Sequence, residues 1–102
     1  MLFKKRKIKE VDLEVFAQEL KEVINEAEQE LANRKKGFSG DCTVSEIEDW
    51  ILPELYHYYY LASCRLHLFH KDKLECAQLF NEETSESKMA SLILQIANKY
   101  NL

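Results

Sequence analysis

Glycine and proline are nearly missing from this chain: two glycines and one proline in 102 residues. Sheet proteins need such residues at their tight turns, so the scarcity excludes a β-rich fold. Cysteine is also sparse. Cys42, Cys64 and Cys76 are an odd number without the close spacing of a disulfide scaffold. No run approaches the roughly 20 apolar residues that a membrane-spanning helix needs. Nor does an apolar stretch of signal-peptide type follow the basic residues near Met1. The compartment expected is therefore a reducing cytoplasm with free thiols.

The catalytic and ligand-binding signatures are absent too. There is no glycine loop for phosphate, no C-x2-C pair and no H-E-x-x-H run. The carboxylates look like solvated helix faces, and Cys64 and His67, neighbours on one helix face, have no acyl-transfer motif around them. We expect no enzyme and no cofactor. The one set with ligand chemistry is His57, Cys64, His67 and His70, spaced at one or two helical turns. Isolated histidines on an apolar helix are more often hydrogen-bonded rim residues, so no metal site is expected from them.

What is present is helical pattern. A chain that is 46% hydrophobic and 31% charged has the balance of a globular domain, and its length allows one core. Asp12 is placed to cap a first helix whose apolar stripe runs Leu13, Phe16, Leu20, Ile24, Ala27 and Leu31. Arg34, Lys35, Lys36 and then Gly37 mark its end. Thr43 and Glu46 form a capping box that opens a second helix. Thr84 or Ser85 is placed to cap a last one, with Met89, Leu92, Ile93, Ile96 and Tyr100 in phase.

Between these lies Trp50 to Phe80, apolar almost all round on a helical wheel, which predicts a central helix continuing to about Asn81. Pro53 predicts a break or kink in it, because its ring collides with the carbonyl four residues back. The expected fold is all-α. It is an antiparallel bundle of three to four helices, with residues 1–10 a basic, flexible arm and 11–102 one domain. Leu20, Ile24, Leu66, Phe69, Leu92 and Ile96 should sit at its centre.

Charge is unevenly spread. Lys4, Lys5, Arg6, Lys7 and Lys9 precede the first acidic residue, which leaves nine basic and eighteen acidic residues, a net −9, for the remainder. Such a body repels a polyanion, so no specific nucleic-acid binding is expected. The arm alone could approach an anionic membrane or nucleic acid.

Tyr56, Tyr58, Tyr59 and Tyr60 point in every direction round a helix and cannot share one core. Tyrosine supplies contact area at low entropic cost, so the surplus rings suggest an interface. Tyr56, Tyr60, Cys64 and Leu68 form the expected strip, covered by a protein partner or by a second copy in a homodimer. In size and helix pattern alone, the chain is similar to small cytosolic helical bundles that serve as immunity proteins, inhibitors or secretion chaperones. The likeness implies non-catalytic protein binding and carries no residue over.

Overall fold

In the computed structural model, residues 8–102 are described. Helix α1 spans Leu13–Lys35, and Asp12 caps it by accepting from the amides of Glu14 and Val15. Phe16, Leu20, Val23, Ile24 and Ala27 bury its inner face. Its last turn closes with two bonds: the Gly37 amide to the Arg34 carbonyl at 3.0 Å, and the Phe38 amide to the Asn33 carbonyl at 3.1 Å. That pattern needs a left-handed residue at Gly37, whose φ is +95°. Arg34 then folds the following loop back, donating to the carbonyls of Cys42 at 2.7 Å and Phe38 at 2.5 Å.

The capping box at Thr43 and Glu46 is present with both of its bonds. It starts α2 (Val44–Glu46), which passes into a π-helical turn (Ile47–Ile51) and on into α3 (Leu52–Ser63). These residues are helical without a gap. Pro53 therefore sits near the start of α3, inside a continuous run, instead of between two helices. The reason lies in the turn before it: the Leu52 amide reaches back five residues to Ile47. The wider turn rearranges the backbone where the proline ring would otherwise meet the Asp49 carbonyl.

The expected central helix to Asn81 is not formed. α3 stops at Ser63 with the same closing pattern as α1, the Arg65 amide on Ala62 and the Leu66 amide on Leu61. Arg65 takes the left-handed position at φ +56° although it is not glycine, which is why no stop was visible. Beyond it the chain turns into strand β2 (Leu68–Phe69), which pairs antiparallel with β1 (Ile8–Lys9) in the register Ile8 to Phe69 and Lys9 to Leu68. A 3-10 turn follows (Glu75–Leu79), held to α3 by Glu54, whose carboxylate accepts from the amides of Glu75 and Cys76, both at 2.7 Å. Helix α4 (Lys88–Lys99) closes the chain. Its cap is Ser87, not Thr84 or Ser85; Asp41 adds bonds from the Glu86 and Ser87 amides.

The fold is mostly helical with one minor two-stranded sheet. Its hub is α1, which packs along both α3 and α4, whereas the sequence suggested the middle segment for that place. Leu20, Ile24 and Ile96 are buried as expected, and Leu92 and Phe69 are half-buried. Leu66 is 47% exposed, because it lies past the end of the helix on which its inward position depends.

Residues 8–10 correct the flexible arm. Lys9 is buried, and its ammonium donates to the carbonyls of Asp72 (3.3 Å), Tyr100 (3.0 Å) and Asn101 (2.6 Å). It thereby caps the carbonyl end of α4, where the helix dipole favours a cation. Burial, and next the charge of Lys73, push its pKa below the ordinary lysine value, with Asp72 opposing. Lys4, Lys5, Arg6 and Lys7 lie outside the described residues.

Candidate functional site

The four tyrosines of α3 divide by the geometry of the helix. Tyr58 turns inward, its ring edge-on to Phe16 at 6.4 Å and its hydroxyl donating to the Lys73 carbonyl at 2.6 Å. Burial, then the charges of Asp72, Glu54 and Glu75, push its pKa up to about 12. Tyr59 is half-buried. Tyr56 and Tyr60, four residues apart, stand on the outer side at 45% and 64% exposure.

Pro53, His57, Ser63 and Cys64 are exposed with them, and Trp50 on the π turn is exposed as well. Tyr56 is fixed by a hydrogen bond from its hydroxyl to the Glu28 carboxylate of α1. That bond is the main cause raising its pKa, followed by burial and the Glu28 charge. The ring is thus braced from α1 while its face stays open. Tyr60 has no such brace among the described residues. The pair offers rigid aromatic area with polar tips, a composition enriched in binding surfaces.

The expected strip is only partly assembled. Tyr56, Tyr60 and Cys64 do share the outer side of α3. Leu68 does not: it is 1% exposed, in strand β2, because the helix that would have carried it to the same face ends five residues earlier.

The candidate metal ligands are scattered. His57 is exposed on α3, edge-on to Tyr58 at 5.4 Å. Cys64 is exposed at the end of that helix. His67 borders a cleft with Ile8 to Leu13, and His70 borders another with Lys9, Lys99 and Tyr100. Among the described residues, no group of three or more histidine, cysteine or acidic side chains could hold a metal ion.

The His70 cleft, about 400 Å³, is lined by Lys9 and Lys99, and both lysines are engaged. Lys9 serves three carbonyls, and Lys99 pairs with Glu19 at 2.9 Å. Glu19 also accepts from the Tyr100 hydroxyl. Burial acts to raise the Glu19 pKa, but these bonds outweigh it and hold the carboxyl below its ordinary value. Every buried side-chain nitrogen and oxygen among the described residues has a partner.

Two thiols are equally committed to the interior. Burial, next Glu46, raises the Cys42 pKa to about 11. Burial, next Glu54, raises that of Cys76 further. Neither is poised as a nucleophile, which needs a depressed pKa and access.

Sequence reasoning missed two features. Lys9 was hidden in a run that reads as a tail, and Arg65 had no signal at all. No family model, curated protein or solved structure matches this chain. Among the described residues, no helix is long and apolar enough to cross a membrane.

Proposed function

We propose that this protein is a non-catalytic protein-binding module, of the adaptor, inhibitor, immunity or chaperone type. It acts through the outer side of α3, with Tyr56 and Tyr60 as anchors. The observation that carries the reading is the exposure of these two rings, together with Trp50, on one continuous helical run from Val44 to Ser63. Large aromatic side chains left in water on a rigid element are the groups that dominate binding energy when a partner covers them. Three unpaired thiols support a reducing cytoplasm as the place of work.

The test is a paired affinity capture from the native host with wild-type protein and Tyr60→Glu, checked first for equal helicity by circular dichroism. The reading expects a protein retained by wild type and lost with Tyr60→Glu, its binding then reproduced with purified components. Identical retention by both proteins would sink it.

A further inference from the structure

The exposed side of this helical run has a symmetry that the proposed function does not require. Between Glu48 and Arg65, burial reads the same in both directions about the midpoint of Tyr56 and His57. Ile51 and Ala62 are buried at equal distances from that point, as are Leu55 and Tyr58. Leu52 and Leu61 correspond in the same way, and both are half-buried. Such a face can meet its own copy across a two-fold axis, since a self-complementary interface places residue i against j and j against i.

The chemistry of the matched positions fits as well as their exposure. Trp50 falls opposite Ser63, and Tyr60 opposite Pro53, so each large ring meets a smaller residue. Tyr56 meets His57 at the axis. At the two ends of the matched stretch the charges are opposite: Glu48 and Asp49 at one, Arg65 at the other. Glu48 lies in the π turn near one end of the helical run, and Arg65 lies just past the other.

Arg65 has no ion-pair partner among the described residues, and the Asp49 carboxylate takes only a hydrogen bond from Ser45 at 3.1 Å. Glu48 is paired with Lys35 at 3.3 Å, an exposed contact that leaves it able to take a second cation. Arg65 also holds a left-handed backbone position that glycine would fill without strain. A residue kept against its backbone preference calls for a role beyond ending the helix.

We infer that the outer side of α3 is covered by a second copy of this chain, antiparallel across a two-fold axis at Tyr56 and His57. Arg65 of each copy faces Glu48 and Asp49 of the other. The inference rests on the binding role proposed for this face and names its occupant.

Sedimentation equilibrium of the full chain tests it. Wild type should be dimeric at concentrations of about 10–100 µM. Arg65→Glu should weaken association about tenfold or more, since it sets like charges against each other. Adding Glu48→Lys to that variant should restore most of it. Arg65→Gly suits the backbone better than the native residue, so it guards against loss by misfolding; it too should weaken association. A wild type that stays monomeric throughout that range, or dimers indifferent to both Arg65 variants, would overturn the inference. A monomer that still binds a partner lost with Tyr60→Glu would overturn this inference alone and leave the proposed function standing.

Discussion

The ammonium of Lys9 lies 2.6 Å from the carbonyl oxygen of Asn101, joining strand β1 to the residue that ends α4. Asn101 is itself in the left-handed conformation, at φ +54°, so its carbonyl and that of Tyr100 are turned out of the helix and need a donor. A lysine buried among carbonyls supplies it. The first described strand is thus part of the core's closure.

Lys9→Met keeps the apolar stem and removes the donor. Three carbonyls lose a charged partner, and bonds of that kind contribute about 1.5–3 kcal/mol. The loss should appear as a lower midpoint in urea. Amide exchange should quicken in the last turn of α4 and around Asp72, while the middle of α1 is protected as before. A variant as stable as wild type would show that the lysine is a passenger.

Leu55 and Leu66 separate the two faces of the middle segment. Leu55 is fully buried against α1, and its truncation to alanine should cost about 2–5 kcal/mol. Leu66 is nearly half exposed past the helix end, so Leu66→Ala should stay within about 0.5 kcal/mol at concentrations where the chain is monomeric. Chemical denaturation of the two variants side by side checks the difference.

Thiol labelling should resolve the cysteines. Cys64 is exposed, whereas Cys42 and Cys76 are 3% and 0% exposed with raised pKa values. At pH 8, and at concentrations where the chain is monomeric, one equivalent of a disulfide reagent should react at once, and the other two only at the rate of opening. Fast reaction of all three would contradict the burial of Cys42 and Cys76.

Asp41 gives the fold an acid-sensitive contact. Burial acts to raise its pKa, but bonds from the Ser87 amide and side chain and from the Glu86 amide outweigh it, so the carboxyl is held below its ordinary value. A depressed folded pKa binds fewer protons in the native state. Its contribution is therefore complete above the unfolded value, about 3.9, and is lost as pH falls through the folded one. Asp41→Asn should lower stability at pH 7 and flatten the decline below about pH 4. Urea titrations at several pH values measure both.

Much of the helical frame was legible because its signals are local. Asp12, the Thr43–Glu46 box and Gly37 each satisfy backbone groups within a few residues of themselves, and all act where expected. The extent of α3 was not legible, since its stop depends on an arginine in a glycine conformation. A helix continued past that point puts Leu66 in the core and Leu68 on the surface, the reverse of what is found, although Cys76 and Phe80 are buried as it expects. The strands β1 and β2 are too short to show alternation, and their pairing joins residues about sixty positions apart. Lys9 looked like its basic neighbours because nothing adjacent in sequence reveals the three carbonyls that hold it. Of the strip expected from the sequence, the part carried by helical periodicity alone, Tyr56, Tyr60 and Cys64, lies together on the outer side of α3.

The π turn at Ile47–Ile51 sets the angular phase of everything after it. Such a turn holds one residue more than a regular helix would over the same rise, and each residue of a helix advances about 100°. Shortening the segment by a single residue would leave a smooth helix. It would also force a choice: either Ile47 and Ile51 keep their places against α1 and the tyrosines swing towards it, or Leu55 and Tyr58 keep theirs and the start of the run rolls outward. A deletion here would act as a rotation of one half of the surface against the other.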